Sequence, residues 1–327
     1  MRLSARTRTR TRTRTRTRVG AVVVAAALLG SVGSVGAAGA SADESVGPGA
    51  RRSPKRTDVV AAFFPLAYAA SVVGGKFVDV TNLTPSGSEP HDLELTPDSV
   101  DALQDAGLVV VMGKGFQPAV EKVARDRDRG TLRILDRLSI AGGGKPVVRA
   151  GDPHVWLDPI LMGRIVDEVR VALTKVDPSH SRAFAANAAR LHAELDALDT
   201  EFRTGLAHCD RRLLVTSHEA FGYVATRFGL RQEGITGLSP DAEPSAKRLA
   251  ELSDLVDGKG VTTIFTEALV SPKVAETLAR EAGGLRTAVL NPLEGLTDRE
   301  VERGGDYFSV MRSNLRKIQR GLGCTTP

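Results

Sequence analysis

The sequence predicts an α/β protein of two lobes, each with a parallel β-sheet flanked by helices, joined by one long linker helix. Short apolar, β-branched runs alternate with helical segments in both halves of the chain. This alternation is typical of parallel sheets with right-handed crossovers. About 285 of the 327 residues follow an N-terminal leader, which is enough for two domains of ordinary size. A long helical pattern lies at the midpoint of the chain.

The chain begins with an arginine-rich leader that predicts export. Eight arginines within residues 1–18 precede an apolar, small-residue stretch that ends in Ala-Ser-Ala at residues 40–42. A positive region, an apolar region and an Ala-x-Ala site are the three parts of a secretory signal peptide. We expect a signal peptide over residues 1–42, because its strongly apolar core is about half as long as a membrane span. Residues 43–57 are polar and predict a disordered lead-in.

The charge of the exported part argues against a nucleic-acid partner. The whole chain has 44 basic and 39 acidic residues and a formal net charge of +5. Eight of the basic residues lie in the leader and no acidic residue precedes Asp43, so the rest has 36 basic and 39 acidic residues, a net charge of −3. The exported part is mildly acidic, and we expect it to bind no nucleic acid.

The two cysteines, Cys209 and Cys324, both lie in the exported part. In an oxidising compartment, an even and distant pair predicts one structural disulfide. Two buried free thiols are the alternative. Neither cysteine lies in the leader, so the lipid-modified cysteine of many exported proteins is absent. We expect the chain in the periplasm or at the outer face of the cell membrane.

The first predicted lobe covers residues 58–157. Its predicted strands are 58–64, 77–83 and 108–113. Between the last two strands, Thr96 and Pro97 open a helix as its cap and its first residue, and Gly107 ends that helix.

The second predicted lobe covers residues 179–327 and repeats the alternation without repeating the sequence. Its predicted strands are 213–218, 261–267 and 285–293. Its predicted helices include 180–206, 245–257 and 272–282. The linker helix between the lobes covers 158–178, because Asp158 caps it, Pro159 begins it and an Asp-Pro pair ends it.

The six histidines fall into two groups. Three lie in or beside a polar helical stretch and predict solvated helix faces: His180, His192 and His208. The others lie where a β-type run meets a loop or a helix start: His91, His154 and His218. Each alone is more typical of a structural histidine. Three at the carboxyl edge of parallel strands, where ligands gather, indicate a metal, and imidazole is a preferred zinc ligand.

Six segments resemble, in order, the motifs of the zinc- and manganese-type solute-binding proteins of ABC importers. They are EPHDLELTP, DPHVWLDP, TSHEAFGYVATRFGL, GLSPDAEPS, IFTEALVSPKVAETLA and NPLEGLT, within residues 58–322. The resemblance implies a metal held in the cleft between the lobes by His91, His154 and His218. It also implies a non-enzymatic, monomeric subunit whose partners are an ABC permease and its ATPase. We expect Pro153 and Trp156 to fix the position of His154.

The third histidine favours zinc as the transported metal. Manganese-type members carry a carboxylate where His218 stands, and Mn²⁺ prefers hard oxygen ligands, whereas imidazole suits zinc. We therefore expect Zn²⁺ rather than Mn²⁺, with Cu²⁺ and Ni²⁺ left open on affinity alone. The histidine-rich loop of many zinc-type relatives is missing, since the segment before His154 holds no other histidine.

The fourth ligand is predicted from the NPLEGLT segment. Many relatives have an aspartate where this chain has Asn291, which offers only a neutral carbonyl oxygen. Zinc-type relatives with Asn-Pro-Leu-Glu resemble this chain and use the glutamate, which predicts Glu294 as the ligand. A water in the fourth position is the alternative. Glu267 and Glu219 are predicted to orient imidazoles.

Two other functions remain open at this point. Three histidines and an open fourth position are also found in hydrolytic zinc sites, although the sequence has no His-Glu-x-x-His motif and no recognisable nucleophile elbow. A metal-buffering adhesin without an importer partner is the third interpretation.

Overall fold

Strands and helices alternate along the described chain, which a computed structural model gives for residues 56–140, 148–149 and 151–325. The strands are β1 Thr57–Ala61, β2 Val78–Asn82, β3 Leu108–Val111, β4 Thr131–Arg133, β5 Leu213–Thr216, β6 Arg231–Gly234, β7 Thr263–Glu267 and β8 Arg286–Leu290. The first six helices are α1 Phe64–Gly74, α2 Pro97–Asp105, α3 Pro118–Arg125, α4 Ile134–Ile140, α5 Pro159–Val176 and α6 Ser181–Gly205. The others are α7 Gly222–Arg227, α8 Ala246–Gly258, α9 Lys273–Glu281, α10 Asp298–Glu302 and α11 Tyr307–Leu322. The predicted signal peptide, 1–42, lies outside the described residues, as does the predicted lead-in, 43–57, up to residue 55. The end of that lead-in is wrong by one residue, because Thr57 begins strand β1.

The strands form two four-stranded sheets with the same strand order. The first sheet has the order β2-β1-β3-β4 and the second has the order β6-β5-β7-β8. Every strand pair is parallel. In the first sheet β1 lies between β2 and β3, and in the second sheet β5 lies between β6 and β7. The direction in which the chain adds strands to each sheet therefore reverses at β1 and at β5. Crevices at such points gather ligands outside the carboxyl ends of the strands. The predicted fold of two parallel sheets flanked by helices is confirmed.

The structure corrects several strand predictions. The sequence does not predict β4 and β6, which are short strands at the edges of the two sheets and have the polar sequences TLR and RQEG. The predicted strand 58–64 ends earlier, because helix α1 begins at Phe64 with a proline in its first turn. The predicted strand 285–293 ends at Leu290, before Pro292, which cannot donate to a strand ladder.

The long helix at the midpoint is α5. The Asp158 carboxylate accepts hydrogen bonds from the backbone N–H groups of Ile160 and Leu161, which caps its first turn. Helix α6 follows after one 3₁₀ turn and packs against both α5 and α1. The lobe limits of 58–157 and 179–327 therefore stay a prediction, since α6 contacts the helices of the first sheet. No helix of the described residues is long and apolar enough to cross a membrane.

A disulfide between Cys209 and Cys324 ties the end of helix α11 to the segment before β5. The two cysteines are 115 residues apart in sequence. A bond across so long a loop stabilises the folded state because it restricts the unfolded chain. The chain-entropy model puts this contribution at about 4–5 kcal/mol, and measured contributions are usually smaller. The bond also fixes helix α11 beside the strand that leads to His218.

Replacing both cysteines by serine should lower the free energy of unfolding by about 2–5 kcal/mol, because the unfolded chain gains the entropy of an open loop. Urea denaturation of the oxidised protein and of the double variant measures the difference. Reducing the wild-type protein should produce the same loss. Two reactive thiols in the unreduced native protein would contradict the bond.

Candidate metal centre

Four side chains meet at one point between the two sheets: His91, His154, His218 and Glu294. One ligand atom from each of them lies within 4.8 Å of all the others. No other group of this kind is found among the described residues. The four residues that the sequence predicted as ligands are therefore neighbours in space, although more than 60 residues separate each from the next in sequence.

Each of the four lies beside a different structural element. His91 lies in the long irregular loop after β2, and His154 directly precedes the 3₁₀ turn Val155–Leu157 that leads into α5. His218 comes two residues after β5, and Glu294 lies in the loop after β8. Three of these loops leave the carboxyl ends of parallel strands, which is the edge where such folds place their ligands.

The three imidazoles all direct Nε2 at one carboxylate oxygen. Glu294 Oε1 lies 3.0 Å from Nε2 of His91, 3.2 Å from that of His154 and 3.5 Å from that of His218. The side chains of His154, His218 and Glu294 are buried, whereas 13% of the His91 side chain is exposed. The site thus presents three nitrogen atoms and one oxygen atom in a space that is buried except on the side of His91.

Two of the imidazoles each bond a carboxylate of their own in addition to Glu294. Nδ1 of His154 bonds Asp152 Oδ1 at 2.9 Å, and Nδ1 of His218 bonds Glu267 Oε2 at 2.5 Å. Such bonds orient the ring, so that Nε2 faces the ligand. The predicted role of Glu267 as an orienting residue matches this contact, whereas Glu219 forms no hydrogen bond with these imidazoles.

Asp152 is not among the residues predicted from the sequence, although it belongs to the same Asp-Pro-His segment as His154. Its carboxylate also accepts the backbone N–H of His154, at 3.0 Å. An acidic residue two positions before a candidate ligand was the available signal, because a side chain so close in sequence can reach both the backbone and the ring.

Burial and neighbouring charges shift the pKa values of this cluster in opposite directions. Burial raises the pKa of Glu294, but His218 and the hydrogen bonds from the imidazoles outweigh it and hold the pKa well below its usual range. Burial lowers the pKa of His218, but Glu294 and Glu267 raise it to about 10. Burial likewise lowers the pKa of His154, yet its bonds to Asp152 and Glu294 leave that pKa raised. These directions favour protonated rings at His154 and His218 beside an ionised Glu294.

The other three histidines lie outside this cluster. His180 pairs with Asp177 at 2.6 Å, and His192 pairs with Asp167 at 3.2 Å. These two pairs lie at the ends or on the faces of helices α5 and α6. His208 lies in the turn after α6, where its backbone carbonyl accepts the N–H of Thr325.

Comparison with known families identifies the chain. Residues 59–321 match the family model ZnuA, described as the periplasmic component A of a zinc-uptake complex. The chain belongs to this family. The match includes both sheets and all four residues of the cluster.

Individual relatives agree with the family match. The zinc-binding protein AdcA of Streptococcus pyogenes is 37% identical over 287 residues, which cover 81% of this chain and 56% of AdcA. The chain thus spans about half the length of the first relatives that it matches. The high-affinity zinc uptake system protein ZnuA of Bacillus subtilis is 34% identical, with 81% of this chain and 87% of that protein covered.

A solved structure with the same fold is the Zn(II)-bound ZnuA-like domain of AdcA from Streptococcus pneumoniae. It superposes with a TM-score of 0.69 at 34% identity, and the match covers 82% of this chain and 99% of that domain.

Asn291 shapes the loop that carries Glu294 and does not face the imidazoles. Its Nδ2 donates to the carbonyl of Gly295 and to Glu300, and its Oδ1 accepts the N–H of Leu293 at 2.7 Å. Asn314 of helix α11 accepts the Asn291 backbone N–H and donates to its carbonyl oxygen. The amide thus clamps the loop of Glu294, a role that its weak donor chemistry as a metal ligand does not predict from the sequence.

Replacing Asn291 by alanine should lower the free energy of unfolding by about 2–4 kcal/mol, because buried partners of its side chain lose their hydrogen bonds. Chemical denaturation without added metal measures the loss. Asn187→Ala is the control, since that amide, only partly buried at the surface, donates to the carbonyl of Val73 and accepts from the exposed Arg190, and its loss should cost about 1 kcal/mol. Equal losses for the two variants would contradict the clamp.

Proposed function

We propose that this chain is the extracytoplasmic binding subunit of a zinc ABC importer. It captures Zn²⁺ after export and delivers it to a membrane permease that is driven by an ATPase, and it catalyses no reaction itself. The observation that carries the proposal is the convergence of three imidazole nitrogens and one carboxylate oxygen within 4.8 Å of one another. The named zinc-uptake and zinc-binding relatives support it.

The ligand set suits Zn²⁺ better than its competitors. Zinc is bound by nitrogen and oxygen donors in tetrahedral sites, whereas Mn²⁺ favours sites rich in oxygen. The single carboxylate of Glu294 offsets part of the +2 charge that would otherwise be buried uncompensated. Proton release from the imidazoles accompanies such binding, since only the neutral ring ligates.

Four protein ligands also argue against the hydrolase alternative. A catalytic zinc site keeps one position for water or substrate, typically beside three protein ligands. Here Glu294 takes the fourth position, and its carboxylate lies within 3.5 Å of all three Nε2 atoms. A fully ligated, buried ion is suited to transport, because it is shielded from solvent and performs no chemistry.

The cargo enters and leaves from the side of His91. This imidazole is the partly exposed one of the four ligands, and its loop has no regular secondary structure. The same loop contacts the loop of Glu294 where the Gly87 N–H donates to the Leu296 carbonyl at 2.9 Å. We assign the two loops to the predicted lobes 58–157 and 179–327, with α5 as the connector.

Each of the variants His91→Ala, His154→Ala and His218→Ala should bind zinc about 100-fold more weakly or worse, because it lacks one of four ligands. Removing a ligand should cost more affinity than removing a residue that only orients one. Competition with a chromophoric chelator measures the dissociation constants. Three matched variants should bind like wild type: His180→Ala, His192→Ala and His208→Ala.

Equal losses across all six histidine variants would contradict the site. In cells that depend on this chain for growth under zinc chelation, the three ligand variants should also fail to restore zinc accumulation. Normal accumulation with them would favour the metal-buffering adhesin.

Glu294→Gln should weaken zinc binding by one to three orders of magnitude, at about 1.4 kcal/mol per tenfold, because the amide keeps the shape and removes the charge. The same chelator competition measures it. Glu267→Gln is the informative comparison, since it removes an orienting carboxylate and should cost about 10- to 100-fold. Wild-type affinity in Glu294→Gln would favour a site of three histidines and a water.

A further inference from the structure

Two of the four ligand-bearing segments meet at a second point, away from the ligand atoms. The indole N–H of Trp156 donates to the carbonyl oxygen of Pro292 at 2.8 Å. Trp156 lies two residues after His154, and Pro292 lies two residues before Glu294. The bond therefore connects the segment of one ligand directly to the loop of another, and its partners are 136 residues apart in sequence.

The loop that receives this bond is held in an unfavourable conformation. Leu293, between Pro292 and Glu294, has a φ of 60° and is wholly buried. Left-handed backbone is costly for a branched residue and persists only where surrounding contacts hold it. Two contacts do so here: the indole bond to Pro292, and the Asn291 Oδ1 that accepts the Leu293 N–H.

Trp156 is itself held from several sides. Its side chain is completely buried and lies against the rings of Phe63 and Phe116, with centroid distances of 4.8 Å and 5.5 Å. The Tyr307 hydroxyl of helix α11 donates to the Trp156 carbonyl at 2.7 Å. Both ends of the residue are thus fixed, and the indole N–H is a rigid donor. Asp152, by contrast, orients the ring of His154.

We propose that Trp156 is a positioning residue for Glu294: its indole N–H holds the Pro292–Leu293 turn so that the carboxylate meets the three imidazoles. This inference rests on the proposed zinc-binding function. Without the bond, the turn relaxes from its left-handed conformation and Glu294 samples positions away from the ligand cluster. Zinc then binds more weakly and dissociates faster.

Trp156→Phe tests this, because it keeps an aromatic ring in the core and removes the indole donor. Its zinc dissociation constant should rise about 10-fold or more, the usual effect of losing a partner that orients a ligand. The loss should disappear in the Glu294→Gln background, where no carboxylate remains to be positioned. Such non-additivity is the signature of two residues that act through one contact.

Two further variants separate positioning from a loss of stability. Tyr307→Phe keeps the ring and removes the hydrogen bond to the Trp156 carbonyl. It should weaken zinc binding less than Trp156→Phe does, and this effect should also disappear in the Glu294→Gln background. Phe202→Leu removes a buried ring that stacks on Phe228, 5.3 Å away, and contacts no ligand. It should lower the free energy of unfolding and leave the zinc dissociation rate unchanged.

Equal zinc affinity in Trp156→Phe and wild type would overturn the inference while the proposed function stands. The inference would also be overturned if Trp156→Phe weakened zinc binding as much in the Glu294→Gln background as in wild type. Trp156 would then act through the stability of the whole protein. If Trp156→Phe does not fold, Tyr307→Phe decides by the same two criteria. A wild-type chain that binds no zinc would overturn the proposed function and this inference together.

Discussion

The structure depends on one buried carboxylate and the positive charge that must balance it. Glu294 is 1% exposed and is surrounded by three imidazoles, which arrive from three separate segments. A charge removed from water without compensation is too costly for a marginally stable fold. Protons on the imidazoles can supply that compensation, and so can a divalent cation held by the same atoms. Under the proposed function, a cation would replace those protons, and the nitrogen-rich ligand set would favour zinc.

The two sheets explain how residues so far apart in sequence arrive at one point. Both have the strand order in which the first strand lies between the second and the third. Each sheet gathers loops at its carboxyl edge, and the two edges face the same cluster. Glu267, the last residue of β7, supports His218, which follows the neighbouring strand β5. A ligand and the residue that orients it are thus supplied by adjacent parallel strands.

Helix α11 joins the site to the stability of the whole fold. It presents Asn314 to the backbone of Asn291 and Tyr307 to the backbone of Trp156, so it contacts two ligand-bearing segments at once. Its far end is tied through Cys324 to the segment that leads into β5. The same helix thus contacts the segments of His154 and Glu294 and is anchored by the disulfide.

The sequence by itself determined the alternation of strands and helices and the long helix after Asp158, because these follow from local periodicity, capping and turn residues. Of the three histidines predicted at strand ends, only His218 closely follows a strand, whereas His91 lies within a long loop and His154 precedes a 3₁₀ turn. The identity of Glu294 as a candidate came from resemblance and not from any local rule. Only the tertiary structure decided that the four side chains converge, that β4 and β6 complete the sheets, and that Asn291 clamps a loop. Edge strands such as TLR carry too few apolar residues to be recognised locally, and a hydrogen bond such as that from Trp156 to Pro292 joins residues whose proximity is a property of the packed fold.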